Sequence, residues 1–274
     1  MHAQTYFLGA NTAFGFHSCY DTFCRPTDGN FLFVIKGGPG CGKSSFMRKI
    51  GRAAEDAGLQ VEYVLCSGDP DSIDGVYIPE RKLGYVDGTA PHTLDVPYPG
   101  ACGAYLDLGQ FYDCTDLKSK ADSIMQLNAE YKNMYRKAYA ILRSFVSQKP
   151  DHNRKANNQL RFHTAISCQG VCSTLPSCSA ELVTETELRH LIQNAEDTDI
   201  FYLHPLWPSQ IVGVYCTKKD IFYYTEMDLP SCSTAVSVLK EAKKLHDALE
   251  EIYNPYVDFD GVYKTAAEHI AKYL

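Results

Sequence analysis

The chain has 274 residues, of which 45% are hydrophobic and 22% are charged, a composition typical of a soluble globular protein with a buried core. Its formal net charge of −7 and pI near 5.7 argue against a protein built around nucleic-acid phosphates, because such proteins normally present a basic surface. There is no run of about 18 apolar residues and no charged leader before an apolar segment. The sequence therefore predicts a cytoplasmic protein that does not bind membranes.

The eleven cysteines are predicted to be reduced thiols, since nothing in the sequence indicates secretion. Cys19 with Cys24, and Cys168 with Cys172 and Cys178, lack the paired spacing of zinc or iron–sulfur sites. Packing as small hydrophobic residues is the better interpretation.

The first predicted elements are a short strand at residues 6–8 and a glycine-punctuated turn at residues 9–16. An apolar, β-prone run at Phe31–Lys36 then leads into G-G-P-G-C-G-K-S-S at residues 37–45, which contains the P-loop pattern G-x-x-x-x-G-K-S. A helical pattern follows, so the pattern has the strand, loop and helix context that a P-loop requires. Glycines let backbone N–H groups surround a phosphate at the start of the helix. A nucleoside triphosphate is the expected ligand.

Each residue of this loop receives a predicted role. Lys43 is expected to reach the β- and γ-phosphates as a catalytic residue, and the Ser44 hydroxyl to bind Mg²⁺. The predicted nucleotide-binding residues are Gly38, Pro39, Gly40, Cys41, Gly42, Lys43, Ser44 and Ser45. Cys41 lies beside Lys43 and the helix N-terminus, an environment expected to lower its thiol pKa, so redox control of nucleotide binding is one hypothesis; the interpretation that Cys41 only fills space in the loop is preferred.

A second strand at residues 61–66, an acidic loop and further strands at residues 76–78 and 83–86 follow the first helix. This alternation predicts a P-loop NTPase fold of the α/β class with a mostly parallel sheet flanked by helices, in which ligands bind at the carboxyl ends of strands. Asp87 ends an apolar strand, so it is the predicted catalytic and Mg²⁺-binding carboxylate, although an aspartate before glycine is also a common turn residue. Other carboxylates expected at the same edge are Asp69, Asp71, Asp74 and Glu80.

Three helices are predicted farther along the chain. Apolar residues recur at steps of three and four over residues 116–145 and again over residues 238–252, and a last helix is expected over residues 261–274. Packing of these helices on one another or on the sheet is favoured over a coiled-coil dimer.

Residues 149–158 are polar and helix-breaking, and they mark a predicted boundary between a P-loop domain with a long helix (residues 1–150) and a second unit with C-terminal helices (residues 159–274). Similarity between the two, at offsets of 155, 141 and 138, predicts a degenerate repeat. Residues 178–185 are aligned with the P-loop but contain no glycine or lysine, while Lys43 falls on Thr184 and Asp87 on Thr225. One nucleotide per chain is therefore expected, with His204 and Trp207 as lining residues of the cleft above Lys43.

These motifs resemble those of an uncharacterised bacterial family of P-loop ATPase-like proteins with two tandem P-loop halves. The resemblance rests on G-A-N-T-A-F-G, G-G-P-G-C-G-K-S, S-G-D-P-D-S-I-D-G-V-Y-I-P-E and D-G-T-A-P-H, and extends to I-Y-N-P-Y-V-D-F near the C-terminus. It implies the fold and nucleotide binding. The second P-loop of longer relatives is not carried over to this chain.

Three functions are consistent with these features. The first is a Mg²⁺-dependent ATPase that hydrolyses the β–γ bond; ATP is preferred because no N-K-x-D motif for guanine is present. The second is a small-molecule kinase in which Asp69 or Asp71 would deprotonate an acceptor hydroxyl. The third is a nucleotide-responsive binding protein with negligible turnover and a protein partner.

Overall fold

The computed structural model describes residues 3–91, 93–146 and 158–274. The strands are β1 (Gln4–Tyr6), β2 (Gly9–Thr12), β3 (Gly15–Ser18), β4 (Phe31–Lys36), β5 (Glu62–Leu65), β6 (Ile73–Ile78), β7 (Leu83–Asp87), β8 (Gly103–Asp107), β9 (Gln159–Arg161), β10 (Thr164–Ser167), β11 (Gly170–Ser173), β12 (Ser179–Leu182), β13 (Ile200–Leu203), β14 (Ile211–Cys216) and β15 (Ile221–Tyr224). The helices are α1 (Lys43–Asp56), α2 (Cys114–Leu117), α3 (Ala121–Ser144), α4 (Glu185–Gln193), α5 (Ser233–Tyr253) and α6 (Phe259–Tyr273). Within the described ranges, no helix combines the length and the apolar character that a bilayer span needs.

The first sheet has six strands in the order β1-β5-β6-β7-β4-β8. The pairs β1–β5, β4–β7 and β4–β8 are parallel, whereas β5–β6 and β6–β7 are antiparallel. The sheet is therefore mixed, and the expectation of a mostly parallel sheet is confirmed only in part, with three parallel pairs of five. Only residues 79–82 separate β6 from β7, which is too short for the crossover that a parallel pair requires.

The second sheet is arranged in the same way. Its five strands follow the order β9-β13-β14-β15-β12, with parallel pairs at both ends and antiparallel pairs between them. The strand β1 pairs Gln4 with Glu62, and β9 pairs Gln159 with Ile200. These residues correspond at the offsets of 155 and 138 found in the sequence, and the register shift in β5 recurs at the corresponding place in β13. Two halves with one topology account for the similarity within the sequence.

The two halves differ at the connection that carries the glycines. Because β4 pairs with β7 as β12 pairs with β15, β12 corresponds to β4. Residues 37–42, which we call the glycine loop, connect β4 to α1, but only Val183 and Thr184 connect β12 to α4. The alignment of residues 178–185 with the glycine loop is therefore wrong in detail. Residues 179–182 belong to β12 and residue 185 begins α4, so the connection in the second half has two residues where the glycine loop has six.

The three helices predicted after the first α/β units are present as α3, α5 and α6. The helices α3 and α5 pack against each other in opposite directions, since Tyr131 contacts His246 while the C-terminal part of α3 shares an apolar cluster with the N-terminal part of α5. That cluster also contains Ala13 and Ile166, so the helix pair covers both halves. The helix α6 packs on α1. Apart from Asn158, the predicted boundary at residues 149–158 lies outside the described residues.

Candidate functional site

The glycine loop leaves the carboxyl end of β4, which lies between β7 and β8 and is parallel to both. Gly37, Gly40 and Gly42 have φ values of 155°, 68° and 85°, in the region where side chains are disfavoured. At Gly40 a Cβ would also approach the end of the Asn254 carboxamide to 2.6 Å. The loop conformation therefore depends on glycine at these positions.

Lys43 is the first residue of α1, and its side chain turns back over the glycine loop. Its Nζ donates to the carbonyl oxygens of Gly37 at 2.9 Å and Gly38 at 2.8 Å. The same Nζ lies 3.6 Å from Asp87 Oδ2, and the two side chains are only 12% and 14% exposed. The structure thus brings together the two residues to which the sequence assigned catalysis.

The carboxylate of Asp87 is held in place by the residues that follow it. Its Oδ1 accepts hydrogen bonds from Thr89 N at 2.8 Å and from Thr89 Oγ1 at 2.6 Å. This is the local turn contact that an aspartate commonly makes, and it leaves Oδ2 directed toward Lys43. Asp87 therefore serves the turn and also presents one carboxylate oxygen at the edge of the sheet.

Ser44, the predicted Mg²⁺ ligand, connects α1 to the first sheet. Its Oγ accepts a hydrogen bond from Ile73 N at 3.1 Å, at the start of β6. A hydroxyl oxygen has two acceptor lone pairs and a rotatable proton, so this contact leaves Ser44 able to bind a cation. The neighbouring Ser45 is exposed.

The expected low thiol pKa of Cys41 is wrong. Its side chain is buried, with 1% exposure, and burial raises the pKa because the thiolate loses its hydration. The ammonium of Lys43, 4.0 Å away, and the hydroxyl of Tyr112 act in the opposite direction but do not outweigh burial. Cys41 is therefore a space-filling residue of the loop rather than a reactive thiol.

The acidic loop after β5 makes contacts with the second half. Asp69 lies 3.3 Å from Lys243 Nζ on α5, and Asp71 Oδ2 accepts from Gln169 Nε2 at 2.7 Å. Asp74 lies in β6, where it is buried and accepts from the hydroxyl of Tyr20 at 2.9 Å. Asp71 Oδ2 and Asp74 Oδ2 thus already accept hydrogen bonds from the protein.

The predicted position of Glu80 at the same edge is wrong. It precedes β7, whereas Asp87 ends that strand, so the two carboxylates lie at opposite edges of the sheet. Glu80 instead accepts from Gln60 N at 3.1 Å and 3.2 Å. The expectation assumes parallel strands, but β6 and β7 are antiparallel, so the turn between them lies at the edge opposite to Asp87.

His204 and Trp207 do not line a cleft above Lys43. His204 is buried, and its Nδ1 accepts from Leu206 N at 3.1 Å and from Trp207 N at 3.3 Å. Leu206 belongs to the apolar cluster under α3 and α5, against which Trp207 packs. These residues therefore stabilise the connection after β13 and the helix pair.

Two residues distant in sequence contact the glycine loop and were missed. The hydroxyl of Tyr112, in the segment after β8, donates to Pro39 O at 2.8 Å. Asn254, at the end of α5, has its carboxamide next to Gly40; with its nitrogen facing the carbonyls, Nδ2 donates to Gly40 O at 3.1 Å. Only the C-terminal I-Y-N-P-Y run, noted in the resemblance, could have drawn attention to Asn254.

A cavity of about 210 Å³ lies away from these residues, between the two halves. Its lining includes Tyr6, Glu62 and Arg161. The guanidinium of Arg161 lies over the Tyr6 ring at 3.7 Å and donates to Glu62 Oε2 at 3.0 Å. Arg161 Nη2 and Glu62 therefore pair across the contact between the halves, whereas the buried Arg161 Nη1 has no hydrogen-bond partner among the described residues.

Neither the sequence nor the fold yields a relative by which to check this site: no protein-family model matches the chain, and no curated protein or solved structure shows significant similarity to it.

Proposed function

We propose that this chain is a Mg²⁺-dependent ATP-binding protein that hydrolyses the β–γ bond. The observation that carries the proposal is the 3.6 Å approach of Lys43 Nζ to Asp87 Oδ2, beside a glycine loop at the ends of two adjoining parallel strands. This is where α/β proteins bind ligands. Lys43 supplies the positive charge that a phosphate requires, and Asp87 supplies the negative charge that the accompanying cation requires.

The backbone of the loop supports binding of an anion. In the described part of the chain, no protein acceptor is found for the N–H groups of Gly40, Gly42 and Ser44. These amides lie at the N-terminus of α1, where the helix dipole favours negative charge. Lys43 already spans the loop through two carbonyl contacts, so its ammonium would stand beside a phosphate bound by the amides.

The donor set also fits magnesium. Ser44 Oγ and Asp87 Oδ2 are hard oxygen donors, the kind that Mg²⁺ prefers together with phosphate oxygens and water. A bound Mg²⁺ would neutralise charge on the transferred phosphoryl group. Asp87, fixed by Thr89, would hold its second oxygen toward that cation or toward an attacking water.

The small-molecule kinase receives less support. It requires Asp69 or Asp71 to accept a proton from an acceptor, but Asp69 is paired with Lys243 and Asp71 accepts from Gln169. We interpret these carboxylates as contacts between the halves. Membership of the tandem P-loop family remains part of the proposal, and the common topology of the two sheets supports it.

The test is titration calorimetry with Mg²⁺ and ATP, combined with measurement of phosphate release. Lys43→Ala should weaken ATP binding by about 1.5–3 kcal/mol, the usual contribution of a charged hydrogen bond. Lys49→Ala is the matched control, because Lys49 is an exposed lysine on the same helix that lies over the Tyr263 ring. Equal ATP affinity in wild type and Lys43→Ala would refute the proposal, and ATP binding without phosphate release would favour the binding protein over the ATPase.

A further inference from the structure

The carbonyl groups of residues 37–40, the first four of the glycine loop, are each held by a side chain. Lys43 Nζ binds Gly37 O and Gly38 O, the hydroxyl of Tyr112 binds Pro39 O at 2.8 Å, and Asn254 Nδ2 faces Gly40 O at 3.1 Å. Four consecutive carbonyls are thus fixed by donors from three separate parts of the chain.

Fixing a carbonyl also fixes the next amide. A trans peptide is planar, so its C=O and the following N–H point in opposite directions. The bond from Tyr112 to Pro39 O therefore orients the N–H of Gly40, and the bond from Asn254 to Gly40 O orients the N–H of Cys41. The Gly40 amide is one of those that the proposed function directs at a phosphate, and in the described part of the chain the Cys41 amide likewise has no protein acceptor.

Tyr112 is itself held by the C-terminal part of the chain. It forms an antiparallel bridge with Val257, and its ring lies 5.2 Å from that of Tyr253. On either side, Asp113 N donates to Tyr256 O at 2.8 Å, and Asp258 N donates to Phe111 O at 2.9 Å. The segment of residues 253–258 thus fixes the position from which the Tyr112 hydroxyl reaches the loop.

Asn254 has a second contact that fixes it to α5. It is the C-cap residue of that helix, and its Nδ2 also lies 3.3 Å from Glu250 O. The backbone of Glu250 is in turn close to the loop, 3.3 Å from where a Cβ on Gly40 would stand. The end of α5 is therefore packed directly on the loop.

We propose that Tyr112 and Asn254 are positioning residues for phosphate binding, which they assist by holding the carbonyls of Pro39 and Gly40 so that the amide after each carbonyl faces the ligand. This inference rests on the proposed ATP site. It gives the I-Y-N-P-Y-V-D-F segment, residues 252–259 near the C-terminus, the role of stabilising the conformation of the glycine loop.

The first test removes one hydroxyl group. Tyr112→Phe keeps the ring and its contact with Tyr253 but deletes the donor to Pro39 O. We expect its dissociation constant for Mg²⁺–ATP, measured by calorimetry, to rise about threefold to tenfold, in keeping with a neutral hydrogen bond. Tyr98→Phe is the matched control, because Tyr98 is 71% exposed, and it should bind as wild type does.

The second test uses two asparagines that cap helices in the same way. Asn194 is the C-cap of α4 and donates from Nδ2 to His190 O at 2.8 Å, as Asn254 does to Glu250 O. Both Asn194→Ala and Asn254→Ala remove a helix cap, but only Asn254→Ala removes a contact with the loop. We expect only Asn254→Ala to raise the dissociation constant, again about threefold to tenfold.

Two further measurements separate positioning from a structural effect. The melting temperature of Tyr112→Phe without nucleotide should fall by no more than a few degrees, the effect of losing one neutral hydrogen bond. Its affinity for Mg²⁺–tripolyphosphate should fall by the same factor as its affinity for ATP, because the change lies where the loop amides contact phosphate. If wild type binds ATP, and Tyr112→Phe and Asn254→Ala bind it with the same affinity as wild type, the inference fails but the proposed ATP site stands. If wild type binds neither ATP nor tripolyphosphate, the proposed function itself fails.

Discussion

Phe7 and Phe162 form an antiparallel bridge in which each backbone N–H donates to the carbonyl of the other, at 3.0 and 2.8 Å. The two residues occupy equivalent positions of the repeat, since each directly follows the first strand of its half. A contact between equivalent residues is the mark of an isologous, two-fold interface. The same relation holds for Tyr6 and Arg161, whose ring and guanidinium are 3.7 Å apart. The halves therefore pack as two subunits of a dimer would, within one chain.

This interface should contribute strongly to stability. Phe162 is fully buried, so Phe162→Ala should lower the free energy of unfolding by about 3–5 kcal/mol, through lost burial and the cavity left behind. Urea denaturation measures the change. Phe14→Ala, at a phenylalanine that is 49% exposed, should have a much smaller effect. A loss below about 1 kcal/mol for Phe162→Ala would contradict the importance of this contact.

Asp87→Asn should reduce ATP turnover more than tenfold, because an amide keeps an acceptor for Thr89 but loses the charge that binds Mg²⁺ or orients water. Asp107→Asn is the matched control. Asp107 ends β8, the other parallel neighbour of β4, and accepts from Gly109 N at 2.8 Å. Phosphate release at saturating ATP should fall only in Asp87→Asn; full turnover in that variant would remove Asp87 from the mechanism.

Each chain should bind one nucleotide. In the second half only Val183 and Thr184 connect β12 to α4, and Thr184 caps α4 by accepting from Glu187 N at 3.3 Å. The N-terminus of α4 is thus already capped and has no glycine-rich turn to surround a phosphate. Equilibrium titration should give one tight ATP equivalent per chain. A second tight equivalent that persists in Lys43→Ala would contradict this.

Stability should decrease as the pH falls from about 6.5 toward 4, in part because of His204. Burial lowers the pKa of its imidazole to about 4, whereas an unfolded histidine has a pKa of about 6.5. In that range the unfolded state takes up a proton that the folded state excludes, since Nδ1 accepts from Leu206 N and Trp207 N. The expected loss is about 2–3 kcal/mol.

The measurement is the free energy of unfolding in urea between pH 4.5 and 7, conditions chosen to span about the range of this titration. His204→Asn keeps an acceptor for the same two amides but cannot titrate, so its stability should vary less with pH than that of wild type. The buried His163, whose pKa is also lowered to about 4 by burial, should maintain part of the slope. An identical slope in wild type and His204→Asn would exclude His204 as a source of the pH dependence.

Local patterns in the sequence determined many of the strands and helices of this protein and its internal repeat. The run Phe31–Lys36 forms a strand because its residues are apolar and β-prone, and the helical periodicities became α1, α3, α5 and α6. The spacing of Lys43 from the glycines follows from covalent connectivity. The repeat was also visible in the sequence, because the offsets of 155 and 138 between similar residues match strands that pair in the same way in both halves.

Tertiary structure alone decided which distant groups meet at the glycine loop. Asp87 reaches Lys43 only because β7 pairs in parallel with β4, and Tyr112 and Asn254 meet the loop through the bridge to Val257 and the course of α5. Burial likewise reversed the expectation for Cys41, since a local charge was visible in the sequence and desolvation was not. Strand pairing and burial depend on contacts between remote segments, which the spacing of residues along a chain does not encode.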